Sequence, residues 1–300
     1  MRNTSIFVAE PLSRGVTSFF AVERLLAVGD TPHQSHQIVD LRGFGRALLL
    51  NGRVHRCQLD GATHHEILAH PALITHPNPK RVLILGGGAG GVLREVLRHP
   101  GVERVVLLEP DPALVHHARK HLPDWSTGAF EDPRTRVIHS EVRTWLQAPG
   151  EAPFDVIIAD LPEPLDGGPA ARAFTREAFE AVSALLATDG IFACGAGPAA
   201  LTRPDLLAAI RATAKAVFPI VRTATVLLTT TLEPRAVVLA SKKLDPAALD
   251  EAAVAERMEA RSLFSRRYTA RLHPALLEEP AWLVDRPTRV LEDAEPFSPA

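Results

Sequence analysis

A chain of 300 residues, 46% hydrophobic and 23% charged, is long enough to bury one large core, or one core with a small satellite domain. A formal charge of −2 and a pI near 6.7 provide no bulk field for gripping nucleic acid or an anionic membrane, so the expected partners are small molecules. The apolar stretches are strand-length, short of the roughly 20 residues a spanning helix needs, and no signal-like segment follows Met1, so the expected compartment is the cytoplasm.

In chain order, residues 47–50 are apolar, Asn51-Gly52 suits the positive φ angles of a two-residue turn, and residues 53–57 alternate, which together predict a β-hairpin. Cys57 reads as a buried thiol, as does Cys194; two distant cysteines exclude a disulfide framework or a four-thiolate zinc site. Residues 64–70 predict a helix that stops at Pro71, and His76-Pro77-Asn78-Pro79 predicts a linker. Residues 1–76 are therefore expected to form a small N-terminal β-domain.

From residue 77 the rhythm changes. Strands are expected at 82–85, 105–108, 136–139, 155–159, 191–193, 224–231 and 236–241, and helices at 92–98, 112–121, 172–187 and 206–218. Strands without polar alternation are covered on both faces, so residues 77–285 are assigned to the α/β class: a Rossmann-like, doubly wound sheet similar to that of class I methyltransferases. Residues 286–300, with Pro287, Pro296 and Pro299, are expected to be an irregular tail.

Gly86, Gly88 and Gly91 fit G-x-G-x-x-G between a strand and a helix, where missing side chains let a nucleoside approach the backbone. Glu109 ends the next strand, 23 residues after Gly86, where a carboxylate accepts hydrogen bonds from ribose hydroxyls. This pair does not separate NAD from an adenosyl sulfonium. Asp160 does, because a carboxylate at a strand's C-terminal end can orient a cationic amine and accept its proton, which suits alkyl transfer and not hydride transfer. Glu163, three residues on, adds a second acid. The competing roles are a helix cap for Asp160 and a solvated loop acid for Glu163.

No metal site is expected. His65 and His70 are five residues apart, which turns one about 140° from the other on a helix. Trp125 reads as core, and Arg266, Arg267 and Arg271 as a solvated face or an interface.

Residues 50–66, 81–100 and 155–164 resemble the spermidine synthase, or polyamine aminopropyltransferase, family. The resemblance implies an N-terminal β-domain, a Rossmann-like catalytic domain, a nucleoside pocket between them and a homodimer. It assigns the ribose to Glu109, proton acceptance to Asp160 and the adenine side to Pro169, and matches His65 to the family's histidine before the helix glutamate. Against the family pattern, Ala89 replaces an acid of the glycine loop that holds the aminopropyl amine, His55 a glutamine and His64 a tyrosine. Gly61 and Glu163 replace acids, and Ser140-Glu141 replaces Gly-Asp beside the adenine. The expected cofactor contacts are thus His55, Gly86, Gly87, Gly88, Ala89, Glu109, Ser140, Glu141 and Pro169, and the expected substrate contacts His64, His65, Asp160 and Glu163.

An acid in the loop would repel the carboxylate of intact S-adenosylmethionine, so alanine relaxes the bias toward the decarboxylated form. The expected function is therefore S-adenosylmethionine-dependent N-methylation of a small amine or amino-acid-like substrate, as in the putrescine N-methyltransferases. The alternatives are aminopropyl transfer from decarboxylated S-adenosylmethionine and a non-catalytic metabolite-binding relative.

Overall fold

The front of the chain folds into an antiparallel sheet whose strands pair in sequence order: β1 (Ile6–Ser13), β2 (Val16–Asp30), β3 (Ser35–Leu41), β4 (Gly45–Leu50) and β5 (Arg53–Cys57). This is a computed structural model that describes residues 6–13, 15–148, 150–151, 153–164, 169–284, 286 and 288–298. Asn51 and Gly52 both have positive φ, as the expected hairpin turn requires.

Helix α1 (Gly61–Thr75) runs through Pro71 instead of ending there. A proline interior to a helix removes one backbone donor. Burial outweighs that loss, because Ile67, Leu68, Ala72, Leu73 and Ile74 are wholly buried in one cluster with Val82, Ile84, Val92 and Val105. The helix therefore packs beneath the sheet that follows it, and the change of layer falls at Asp60, ahead of the His76-Pro77 segment.

The remaining elements alternate: β6 (Arg81–Gly86), α2 (Gly91–Leu97), β7 (Arg104–Leu108), α3 (Pro112–His121), α4 (Pro123–Ser126), β8 (Thr135–Ile138), α5 (Val142–Gln147), β9 (Phe154–Asp160), α6 (Arg176–Leu185), β10 (Leu186–Pro198), α7 (Asp205–Val217), β11 (Ile220–Leu228) and β12 (Glu233–Ser241). Among the described residues they build a seven-stranded sheet ordered β11-β12-β10-β9-β6-β7-β8. β6 to β10 are parallel and β12 is antiparallel to its neighbours β10 and β11. Leu83, Leu85, Val106 and Ile157 face one core, and Val82, Ile84, Val105 and Ile158 face the other, which is why these strands read as unbroken apolar runs.

The helix expected from residue 172 begins at Arg176. Thr175 caps it by accepting from the Ala178 N–H, and a 3-10 segment, Pro169–Phe174, precedes it. Trp125 is buried with Ile38, Leu48 and Leu50, in the core role expected of it. Beyond the sheet lie α8 (Glu251–Ala260), α9 (Leu272–Leu276) and α10 (Ala281–Val284). Arg257 and Arg261 donate to the carbonyls of residues 73–77, closing the C-terminal end of α1. In the tail, Leu291 donates its N–H to Thr213 and Asp293 pairs with Arg143, so this segment is pinned to α5 and α7. No helix among the described residues is long and apolar enough to cross a membrane.

Candidate active site

Strand register assembles the site. Gly86 of β6 is paired with Asp160 of β9, and Leu85 with Leu108 of β7, so Gly86, Asp160 and Glu109 stand side by side where three neighbouring strands end. The order of β9, β6 and β7 makes this the switch point of the sheet, where open α/β folds bind ligands. A cavity of ≈ 340 Å³ opens there, walled on the sheet side by Gly86 to Ala89, Glu109 and Asp160, and on the other by Leu48, Leu50, His55 and Arg56 of β4 and β5.

Glu109 is 4% exposed and accepts from the Gly88 N–H at 3.0 Å and the Asp111 N–H at 3.1 Å. A Cβ on Gly88 would lie 2.7 Å from the Glu109 carboxyl, so glycine is what permits the contact. Burial pushes the Glu109 carboxyl up to about 7 despite those donors. In the ribose-binding role expected of Glu109, hydroxyls would donate to the ionised form, which would link adenosine binding to loss of this proton. Affinity for methylthioadenosine should therefore be constant above pH 7 and fall by up to about tenfold per pH unit below it. Calorimetric titration between about pH 5.5 and 8.5 reads this, and a flat profile removes Glu109 from nucleoside recognition.

Asp160 is 7% exposed, with Arg56 Nη2 at 3.4 Å and His64 Nε2 at 3.6 Å. Burial alone would raise this carboxyl; the His64 ring and the Arg56 guanidinium reverse that and hold it far below the usual carboxylate range. Burial lowers His64 to about 4 and His65 to about 3, and takes His55 well below its ordinary value, so all three rings are neutral at pH 7. Asp60 serves the scaffold instead: its carboxylate accepts from the Thr230 N–H and hydroxyl, each at 2.7 Å, and from the Cys57 thiol at 3.2 Å. Burial pushes the Cys57 thiol up to about 11, which leaves it inert at neutral pH.

Of the residues expected from the sequence, His55, His65, Gly86, Gly87, Gly88, Ala89, Glu109, Glu141, Asp160 and Glu163 line this one cavity. His64 instead lines a small adjoining cavity with Arg56 and Glu163. Ser140 does not line the cavity; its hydroxyl lies 3.5 Å from the Glu141 carbonyl. The Pro169 side chain lies outside the described residues. Glu141 is half exposed at the rim, where His33 Nδ1 approaches it at 2.6 Å.

Residues 62–251 match the spermine/spermidine synthase domain. The chain belongs to the spermine/spermidine synthase family. It is 36% identical to polyamine aminopropyltransferase 1 of Hyperthermus butylicus over 87% of this chain and 90% of that protein. It is 35% identical to the polyamine aminopropyltransferase of Pyrobaculum calidifontis over 92% and 96%. A crystal structure of spermidine synthase in complex with the transition state analogue AdoDATO superposes with a TM-score of 0.86, at 30% identity and with 94% of each chain covered. Spermidine synthase from Thermotoga maritima superposes with a TM-score of 0.83 at 29% identity, covering 94% of this chain and 93% of that one.

This membership makes the chain a transferase with the mixed α/β fold expected of it, and it corrects the N-methyltransferase expectation. The relatives of comparable length are aminopropyltransferases, and the solved neighbour carries an analogue of a spermidine synthase transition state. S-adenosylmethionine as the expected cofactor falls with that expectation. The error has a physical cause. Ala89 packs among Ile38, Leu48, Leu50, Leu114 and Trp125, so losing the loop acid removes a repulsion without placing any cation there for the methionine carboxylate.

Sequence reasoning missed Arg56 altogether. Neighbours in a regular strand point to opposite faces, so His55 and Arg56 were not expected at one cavity. In β4–β5, Leu48 is paired with Arg56 but Leu49 with Val54, so His55 is an extra residue, a β-bulge that turns both side chains to the cavity. The neighbouring Asn-Gly turn, which sets the register of this hairpin, was the only available signal. Arg235, from β12, comes from a segment remote in sequence and carried no signal.

Proposed function

We propose that this chain transfers the aminopropyl group of decarboxylated S-adenosylmethionine to the nitrogen of a small amine. The observation that carries the reading is the placement of Glu109 and Asp160 on either side of Gly86 in one cavity. The names of the relatives support the choice of group transferred.

In this reading the adenosine lies along Gly86, Gly87 and Gly88 with Glu109 accepting from the ribose hydroxyls and Glu141 on the side of the base. Asp160 faces the sulfonium and the incoming amine. The amine nitrogen gives up a proton to the Asp160 carboxylate and forms a bond to the aminopropyl carbon attached to sulfur. The carbon–sulfur bond breaks with its electron pair going to sulfur, leaving neutral methylthioadenosine. The electrophile is already activated, so catalysis comes from alignment and the exclusion of water, to which the neutral histidines 55, 64 and 65 contribute.

Incubating the purified chain with an amine and either form of the cofactor tests this. Methylthioadenosine from the decarboxylated form is expected, whereas S-adenosylhomocysteine from the intact form would overturn it. A homodimer is part of the reading, supported by the exposed Phe7, Phe19, Leu25 and Val28 on β1 and β2, and light scattering checks it.

A further inference from the structure

Asp111 does not line the cavity, but it holds the carboxylate that does. Its backbone N–H donates to Glu109 Oε1 at 3.1 Å, and its own side chain is wholly buried. One oxygen, Oδ1, caps α3 by accepting from the Ala113 N–H at 3.0 Å. The other, Oδ2, is turned to the N-terminal sheet, where the Thr31 hydroxyl at 3.3 Å and the Gln34 amide at 3.4 Å donate to it from the turn between β2 and β3. His36 of β3, 1% exposed, brings its Nδ1 to 3.3 Å from the same oxygen. A loop of the catalytic sheet and a turn of the N-terminal sheet thus meet on one buried carboxylate.

The His36 ring is fixed from two sides. It lies over Gly29, where a Cβ would come within 2.2 Å of it, and its Nε2 is 2.8 Å from His117 Nδ1 on α3. A carboxylate offers only lone pairs, so the His36 ring proton is assigned to Nδ1, which leaves Nε2 to accept from His117. That Nδ1 makes no aligned hydrogen bond and acts on Asp111 through proximity. After burial, the charges that oppose ionisation of Glu109 are those of Asp111 and Asp160. Asp160 has Arg56 and His64 beside it, and Asp111 has His36. The other titratable and charged neighbours are His139, whose Nδ1 donates to the Glu109 carbonyl at 2.9 Å, and His33, which is paired with Glu141 on the same turn as Thr31. Around His117 stand His116, Lys120 and His121 of α3, with Arg46 of β4 donating to the His121 carbonyl.

We propose that Asp111 and His36 are positioning residues for the nucleoside: they act through Glu109, and they make its charge state depend on contact with the N-terminal sheet. This rests on the ribose role given to Glu109 above but is tested apart from it. In the full chain, the pH profile of methylthioadenosine affinity has its expected midpoint near 7. Asp111→Asn keeps a side-chain oxygen to cap α3 but removes a negative charge. The midpoint should fall by about one pH unit, so that affinity rises about fivefold at about pH 6 and is unchanged at about pH 8.5. His36→Phe keeps a ring over Gly29 but takes the proton away from Asp111, so the midpoint should move upward and binding near pH 7 should weaken. A purely structural role would weaken binding equally at every pH with the midpoint fixed. That result overturns the inference, as does a shift of both variants in the same direction. Should His36→Phe fail to fold, the direction of the Asp111→Asn shift decides. Carboxyl-carbon NMR on the chain labelled at its glutamates, with the Glu109 signal identified by Glu109→Gln, reads the same midpoints without ligand. A flat binding profile would then sink the ribose role, while the NMR midpoints still decide whether Asp111 and His36 act on Glu109.

Discussion

Asp160→Asn should lower kcat by about 10³-fold while methylthioadenosine binding stays within about threefold of the unsubstituted chain. Asparagine keeps the shape and one acceptor oxygen but cannot take a proton, so an incoming ammonium has nowhere to discharge it. The substitution also leaves Arg56 facing a neutral group in a buried site, which makes the cavity more positive and repels the substrate further. A stability loss of about 2 kcal/mol is expected from the same cause. Because Arg56 and His64 hold Asp160 ionised across the working pH range, an acid limb in the pH–rate profile belongs to Glu109 or to the acceptor amine, not to Asp160. Nucleoside binding separates the outcomes: Glu109 and the glycine loop are untouched, so loss of methylthioadenosine binding together with activity would indicate a collapsed site. Full activity in this variant would remove Asp160 as the proton acceptor.

Gly86→Ala should be strongly damaging, and its clash is with backbone and not with a side chain that can move. Gly86 has φ +77°, and a Cβ there would lie 2.6 Å from the Asp160 carbonyl oxygen and 2.8 Å from a Leu161 methyl. The first neighbour is backbone in the middle of the sheet and cannot move without shifting Asp160. Strain and overlap together should cost about 3 kcal/mol and abolish measurable transfer. Gly87 is the internal control. It has the same φ, but its nearest neighbours, Asp160 Oδ2 and an Ile84 methyl, are both at 3.4 Å, so Gly87→Ala carries only the backbone term of about 1 kcal/mol. Urea melts of the two variants give the difference directly. Equal losses would show that steric approach at Gly86 plays no part.

The parts of the site legible in the sequence share one property: they are set by local strand ends. Residues 82–85 and 155–159 are apolar on both faces because cores lie on both sides of the sheet, and a polar residue that ends such a run must stand at its rim. The sequence therefore puts Asp160, Glu109 and the glycines at that rim, and in the structure they line one cavity there. Arg56 was not placed there, because a bulge in a hairpin depends on pairing and not on the side-chain pattern. The run of α1 through Pro71 was missed for a related reason. Local propensity forbids it, and only packing against residues up to twenty or more positions away overrides that propensity.

Transfer chemistry shows the same division at finer scale. Ala89 was read as a choice of cofactor because a charge had disappeared from one position. A charge lost at one point selects a ligand only if its surroundings supply the opposite charge, and the surroundings of Ala89 are apolar. The charges nearest the rim carboxylates lie elsewhere, on Arg56 from β5 and Arg235 from β12, brought to one small cavity by two different sheets. By itself the sequence determined the doubly wound sheet, the glycine loop and the carboxylates at its rim, since each follows from hydrophobic period and strand termination within a few residues. Only the tertiary structure decided which cations face those carboxylates, because electrostatic pairing in a buried site depends on distances of 3–4 Å between residues that lie about 10² positions apart in the chain.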